Sequence, residues 1–152
     1  MPRHAALTAT FLFAALAGTC AHAQEAPKFD EALAKSLGAD QRGMRSYVFV
    51  LLKTGPNQIP AGPERDEMFK GHFANMERLA KDKKLVVAGP YDGVEGWRGM
   101  FIFAVSDIEE AKKLVATDPV IIKGAMVAEY HKLYSTAGLM MVNEIHGKLS
   151  KP

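Results

Sequence analysis

Two segments of the chain, residues 48–52 and 100–105, are apolar at every position. Their β-branched and aromatic content is typical of strands. A strand with one face in water alternates apolar and polar residues, because successive side chains point to opposite faces of the sheet. Since neither segment alternates, a sheet that contains them must be covered on both faces.

The remaining patterns place these strands in a repeated β-α-β order. The longest helix carries its apolar residues in one stripe at helical spacing. A capping-box sequence opens a shorter helix, which the Asp118-Pro119 pair ends. The predicted elements, in chain order, are a strand over 47–52, a proline- and glycine-rich loop over 55–63, a helix over 64–83, strands over 85–88 and 100–105, a short helix opening at 106–109, and a strand over 125–134. This order predicts an α+β fold, the ferredoxin-like βαββαβ arrangement with an antiparallel sheet.

Two helices cover only one face of a four-stranded sheet, so the second face needs another cover. Short helices predicted over 29–37 and 137–149 are one candidate, and a second copy of the chain is the other. We favour the second copy, which predicts a homodimer with a two-fold, sheet-on-sheet interface.

The first residues have the pattern of a removable export signal. A short basic start with Arg3 precedes the almost wholly apolar segment 5–18, and Ala21-His22-Ala23 is the small-x-small sequence that signal peptidase needs. The apolar segment is shorter than the ~20 residues that span a bilayer. We expect cleavage after Ala23, a periplasmic or secreted location, and no membrane contact after cleavage.

An alternative is a lipoprotein anchored through Cys20, the only cysteine of the chain. Thr19 precedes this cysteine, and Ala17 stands where a lipid-attachment sequence normally has Leu, so cleavage after Ala23 is favoured. The mature chain then has no disulfide, no thiolate metal ligand and no cysteine nucleophile.

The charge pattern argues against nucleic acid as a partner. The net charge is only +2, and 24% of the residues are charged. Lys81, Lys83 and Lys84 do cluster, but they lie near a predicted helix C-terminus, where cations complement the helix dipole. The sequence has no P-loop, no GxGxxG motif and no zinc-ligand spacing, so no cofactor and no metal are predicted.

Three motifs in order resemble the YciI-like (YCII-related) domain family. They are His72 on the long helix, a strand over 85–90 that ends in Ala-Gly-Pro, and Asp118-Pro119. The resemblance covers roughly residues 47–134. It implies a dimeric α+β barrel and a pocket with a His–Asp pair proposed as catalytic, here His72 and Asp118. One branch resembling this family removes chloride from chlorinated hydroxyquinols.

The chain departs from the family pattern at two positions, which leaves the substrate open. Phe69 stands where many relatives have Arg, and Val120 stands where an aromatic residue is common. The predicted division of the chain is a signal peptide (1–23), an N-terminal helical lead (24–44), the YciI-like domain (45–136) and a C-terminal helix or tail (137–152).

His72 and Asp118 are the predicted catalytic residues. The helical rise places His72 ~12 Å along its helix and Asp118 ~16 Å along the next, so the two side chains can lie at similar heights. Asp118 would then fix the tautomer of the imidazole, and His72 would take or give a proton. The structural alternative is a histidine at the edge of the core and an aspartate that ends a helix.

Three residues flank the turn after the Ala-Gly-Pro strand and are predicted to bind substrate. Tyr91, Trp97 and Arg98 suit an aromatic ligand, through stacking and cation–π contact. Trp97 has an alternative role as a dimer-contact residue.

Glu129 and His131 share one face of the last predicted strand. Edge-strand polarity explains them better than a metal site shared with His72, because no ligand spacing supports one. The predicted function is therefore acid–base chemistry, of lyase or hydrolase type, on a small aromatic molecule by an exported YciI-like protein. The alternative is a non-catalytic domain that binds a small ligand or another protein.

Overall fold

The computed structural model describes residues 28–151. The predicted signal peptide, with its cleavage position after Ala23 and the alternative lipid site at Cys20, lies outside the described residues. The described elements, in chain order, are α1 (Glu31–Ser36), β1 (Met44–Thr54), α2 (Pro63–Lys81), β2 (Leu85–Pro90), a 3₁₀ turn (Val94–Gly96), β3 (Trp97–Phe103), α3 (Ile108–Val115), α4 (Pro119–Ile122), β4 (Met126–Thr136), a second 3₁₀ turn (Ala137–Met141) and α5 (Val142–Leu149).

The four strands form one antiparallel sheet in the order β2-β3-β1-β4. The central strand β1 pairs with β3 through Val50 and Phe101, and with β4 through Val50 and Tyr130. This topology confirms the predicted ferredoxin-like α+β fold. The crossover helices α2 and α3 pack on one face of the sheet, so that face holds the larger core. Its buried members include Val48, Val50, Leu52, Met68, Leu79, Phe101, Phe103, Ala111, Val115 and Val120.

The second face of the sheet has a smaller core of Tyr47, Val86 and Ile102. Leu139 and Met140, which follow β4, pack against it. The segment after β4 therefore covers part of this face, as one of the two sequence alternatives proposed. The β4 side of the same face carries Val127, whose side chain is 44% exposed. The homodimer stays a prediction.

The helix predicted to open at 106–109 and to end at Asp118 is α3, which ends at Val115, and a further short helix, α4, follows Asp118. Asp118 does not end a helix: it is the N-cap of α4 and has an extended backbone (φ −84°, ψ 126°). The prediction misread the pair because proline is favoured at the first position of a helix as well as after its end. The N-cap of α3 is Asp107, which accepts a hydrogen bond from the backbone N–H of Glu109, and not Ser106.

The predicted loop between β1 and α2 is closely packed at its start. Gly55 donates its backbone N–H to the carbonyl of Ala125 over 2.9 Å. The side-chain amide of Asn57 donates to the carbonyl of Lys123 over 2.8 Å. A Cβ atom at Gly55 would lie 2.2 Å from the carbonyl oxygen of Gly124, so only glycine fits there. The start of the loop is therefore fixed against the segment that leads into β4.

No helix within residues 28–151 has both the length and the apolar character needed to cross a bilayer.

Candidate functional site

The structure brings His72 and Asp118 together. The imidazole Nδ1 of His72 lies 2.8 Å from Oδ2 and 2.9 Å from Oδ1 of Asp118. The pair is buried, with 8% of His72 and 1% of Asp118 exposed. A buried carboxylate needs hydrogen-bond partners to offset its desolvation. Here His72 supplies one of them.

The start of α4 holds Asp118 in place. Its Oδ1 also accepts the backbone N–H of Val120 over 3.1 Å, an N-cap bond of the type that satisfies the free donors of a helix start. The contact also requires α4 to approach α2 closely. A Cβ atom at Gly71, next to His72, would lie only 3.0 Å from Cγ of Pro119. The missing side chain at Gly71 therefore permits the approach that joins the pair.

Among the described residues, the second ring nitrogen of His72 is unpartnered and not fully buried. Within residues 28–151, Nε2 has no hydrogen-bond partner, and no side-chain nitrogen or oxygen there is both buried and unpartnered. His72 lines a cavity of about 270 Å³, whereas Asp118 does not. The imidazole thus separates the buried carboxylate from the cavity.

The cavity lies between α2 and the sheet and is mostly apolar. Aromatic rings surround the imidazole: the ring centroid of Phe73 is 5.4 Å from that of His72, and those of Phe69 and Phe101 are 6.1 Å away. None of these three residues was predicted to line the site. Phe69 lies three residues before His72, so helical spacing was the available signal for it, whereas the adjacent position of Phe73 gives no such signal. The full lining is Leu52, Phe69, His72, Phe73, Met76, Gly89, Pro90, Tyr91, Arg98, Gly99, Met100, Phe101 and Met126.

Two of the three predicted substrate-binding residues line this cavity. Tyr91 and Arg98 belong to the lining, but Trp97 does not. The pairing of β1 with β3 is irregular after Leu52, and this irregularity places Trp97 opposite Lys53. Trp97 instead packs edge-on against Tyr91, with ring centroids 5.6 Å apart. Trp97 therefore adjoins this cavity only through Tyr91, and its contact with a ligand stays a prediction.

The comparison with protein-family models identifies the family. The model described as the YCII-related domain matches residues 46–131, which is more than half of the chain. The chain belongs to the YCII-related domain family. The match includes His72, Asp118 and every residue that lines the cavity.

One solved structure is similar to this YCII-related chain. It is 5-chloro-2-hydroxyhydroquinone dehydrochlorinase from Burkholderia phenoliruptrix, in complex with 2,5-dihydroxybenzoquinone. The two share 22% sequence identity with a TM-score of 0.40, over 55% of this chain and 90% of the other. The comparison with curated proteins gives no match.

Glu129 and His131 of the YCII-related domain lie on β4, apart from the cavity. The imidazole Nε2 of His131 lies 2.8 Å from Oε1 of Glu129, and both side chains are exposed. Hydrogen bonds from Lys53 and His131 hold the pKa of the Glu129 carboxyl below its usual value. No group of three or more His, Cys, Asp or Glu side chains suited to a metal ion occurs within residues 28–151.

Proposed function

We propose that this YCII-related protein is an acid–base catalyst that acts on a small molecule with an apolar ring. His72 is the proton-transfer residue, and Asp118 is the positioning residue behind it. The observation that carries the proposal is the hydrogen bond between His72 Nδ1 and the buried Asp118 carboxylate, with Nε2 left open to the cavity.

The geometry defines how the proton moves. An ionised carboxylate only accepts hydrogen bonds, so Nδ1 of His72 carries a proton and Nε2 of the neutral ring has a free lone pair. Nε2 takes a proton from the substrate or from an attacking water, and Asp118 stabilises the imidazolium that forms. The same Nε2–H then returns the proton to the leaving group. This sequence fits an elimination or a hydrolysis.

The lining supports a ring-shaped substrate. Phe69, Phe73 and Phe101 surround His72, and Tyr91 lies at the rim. Aromatic side chains favour edge-on or offset contacts with another ring. A volume of about 270 Å³ suits a single ring with small substituents.

A second candidate function is ligand binding without turnover. The lining contains no carboxylate, cysteine, serine or threonine, so His72 has no second acid–base group or nucleophile of these types beside it. The apolar walls also suit a carrier of a small ring compound.

One experiment separates the two functions. The wild-type protein and the variants His72→Gln and Asp118→Asn are mixed with a panel of monocyclic aromatic compounds carrying hydroxyl, carboxyl or halogen substituents. Ultraviolet absorbance reports conversion, and protein-observed NMR shifts report binding. Conversion by the wild type that both variants lose, while they still bind, supports catalysis. Binding by all three proteins with no conversion of any compound contradicts catalysis and supports the carrier. Unfolding of both variants at ambient temperature shows that the pair is required for the fold.

We also propose that the mature protein begins at Gln24 and acts in the periplasm or outside the cell. The basic start, the apolar segment and Ala21-His22-Ala23 support this proposal. Intact-mass analysis of the protein secreted from its natural host tests it. A mass that includes residues 1–23, or a lipid on Cys20, contradicts it.

We propose in addition that a second copy covers the rest of the second sheet face. The β4 side of this face combines exposed Val127 with the ion pair between Lys53 and Glu129, whose atoms are 3.2 Å apart. A patch with apolar area and both signs of charge can pair with itself across a two-fold axis.

A further inference from the structure

A second cavity of about 140 Å³ adjoins the one that contains His72. Three residues, Phe69, Arg98 and Met126, line both cavities, so the two form neighbouring compartments. The second compartment is more polar than the first. Its lining is Thr54, Asn57, Gln58, Ile59, Arg65, Met68, Phe69, Arg98, Ala125 and Met126.

The charged residues of the two compartments are both arginines. Arg65 and Arg98 line the smaller cavity, and no Asp or Glu of the described part of the chain lines either one. Within residues 28–151, neither guanidinium forms an ion pair or a side-chain hydrogen bond. Two arginines that face a polar cavity without a carboxylate attract an anion.

Arg65 is positioned by its own helix. Its guanidinium lies over the ring of Phe69, 5.6 Å from the centroid, a cation–π contact one helical turn away. The neighbouring Glu64 does not neutralise it, because the Glu64 carboxylate pairs with Lys123 over 2.7 Å. Arg65 also lies about two helical turns before His72, and therefore on the same side of α2.

Two neutral polar side chains of the smaller compartment already make hydrogen bonds within the protein. The Asn57 amide donates to the carbonyl of Lys123, and the Thr54 hydroxyl donates to the carbonyl of Gly96 over 3.2 Å. The amide of Gln58 makes no hydrogen bond within residues 28–151 and is a neutral free donor. The arginines provide the charged free donors, and their planar guanidinium groups match a carboxylate.

We propose that Arg65 and Arg98 form an anion subsite, and that the ligand is a ring compound with a carboxylate. The ring occupies the apolar cavity against His72, and the carboxylate enters the smaller compartment between the arginines. This inference rests on the proposed function because it places the reacting ring beside His72. It assigns Arg98 to charge recognition, whereas the sequence analysis assigned it to cation–π contact with an aromatic ligand.

The test compares acids with their neutral amides. Benzoate, phenylacetate and 3-phenylpropionate differ in the distance from ring to carboxylate, and each has an amide of nearly equal shape. Dissociation constants are measured by NMR titration of the mature protein. We expect at least one acid to bind about tenfold or more tightly than its amide, as a charge-assisted hydrogen bond gives. Added salt should weaken binding of the acid more than binding of the amide.

Variants assign this preference to the two arginines. The double variant Arg65→Gln/Arg98→Gln should bind acid and amide equally. Lys81→Gln, which removes one positive charge from the exposed last turn of the same helix, should keep the wild-type preference. Arg98→Lys keeps the charge without the planar donor pair and should retain part of the preference. Circular dichroism of each variant verifies the fold. If the double variant does not fold, the acid preference of Arg98→Lys, relative to that of the wild type, tests the subsite instead.

Three results would overturn the anion subsite. They are equal binding of acid and amide for all three pairs, no binding of any acid at millimolar concentration, and an acid preference that survives loss of both arginines. These outcomes are distinct from failure of the proposed catalysis. His72→Gln should keep the acid preference, so a protein that prefers acids but converts nothing contradicts catalysis alone. Conversion of neutral rings without an acid preference contradicts the subsite alone.

Discussion

His72 Nδ1 lies within 2.9 Å of both carboxylate oxygens of Asp118, although the two residues are 46 positions apart in the chain. The contact joins the middle of the long helix α2 to the N-cap residue of the short helix α4. It directs one ring nitrogen at a buried carboxylate and leaves the other for the cavity. Asp118 thereby acts both as a helix cap and as the partner of the imidazole.

The variant Asp118→Asn should change the tautomer of His72 while keeping the fold. Asparagine is as good an N-cap as aspartate, so α4 should remain. The asparagine amide can donate to Nδ1, which favours the tautomer with the proton on Nε2. We expect conversion of the substrate to fall by about 10²–10⁴, the usual contribution of general acid–base catalysis. Ring ¹⁵N shifts of His72 report the tautomer.

Asp107→Asn is the matched control for that variant. Asp107 is also an N-cap aspartate that accepts the N–H two residues ahead, but it is exposed and belongs to α3. It should leave both the His72 tautomer and the conversion rate unchanged. Equal effects of the two substitutions would show that the change of an N-cap aspartate, and not loss of the His72 partner, is responsible.

Gly71→Ala should disturb the pair with little effect on stability. Alanine is favoured over glycine inside a helix by about 1 kcal/mol, whereas its Cβ would press on Pro119 at 3.0 Å. The two effects oppose each other in the free energy of unfolding. Displacement of Pro119 also moves Asp118, so we expect conversion to fall by about tenfold, since small misplacements at a site are costly.

Gly147→Ala serves as the control for Gly71→Ala. Gly147 lies inside α5, and a Cβ atom there meets nothing within 4 Å. It should raise the free energy of unfolding by up to about 1 kcal/mol and leave conversion unchanged. Urea denaturation and a rate assay on both variants make the comparison. Unchanged conversion in Gly71→Ala would mean that the approach of α4 does not control the site.

Val127→Lys should weaken the proposed dimer without unfolding the subunit. Val127 is 44% exposed on β4, so a lysine there is tolerated in a single chain but is buried in the proposed interface. Light scattering after size exclusion should give twice the chain mass for the wild type and a lower mass for the variant. Val94→Lys, at a turn residue that is 65% exposed, should stay dimeric. A monomeric wild type would refute the interface.

Asp40 should titrate below its usual range because of Tyr134. The Tyr134 hydroxyl donates to Asp40 Oδ2, and the N–H groups of Met44 and Arg42 donate to Oδ1. These bonds lower the pKa of Asp40. A lowered pKa in the folded chain means that the interaction favours folding above the ordinary value of about 3.9 and is lost as the pH falls through the lowered value.

Tyr134→Phe tests this link between the N-terminal lead and β4. The variant removes the largest cause of the shift, so the pKa of Asp40 should rise towards its ordinary value. NMR titration of the Asp40 carboxyl carbon measures it. An unchanged titration in Tyr134→Phe would assign the shift to the backbone donors instead.

Local patterns predicted most of the architecture. Helical periodicity located α2, and the apolar segments located β1 and β3, because these signals arise from neighbours a few residues apart. The non-alternating strands also predicted a sheet with two covered faces, and the structure has apolar clusters on both. The observed boundaries of the helices and strands differ from the predicted ones by a few residues, because helix and strand ends depend on contacts outside the segment.

The sequence by itself determined the element order, the two apolar sheet faces and the choice of His72 and Asp118 as candidates. Only the tertiary structure decided that these two residues touch, that Asp118 caps the start of a helix, that Trp97 stays outside the cavity and that Arg65 and Arg98 line one compartment. The reason is that helix and strand patterns are short-range, whereas a contact across 46 residues depends on how closely two helices approach. That approach depends on the missing side chain at Gly71, and the position of Trp97 depends on an irregularity between β1 and β3.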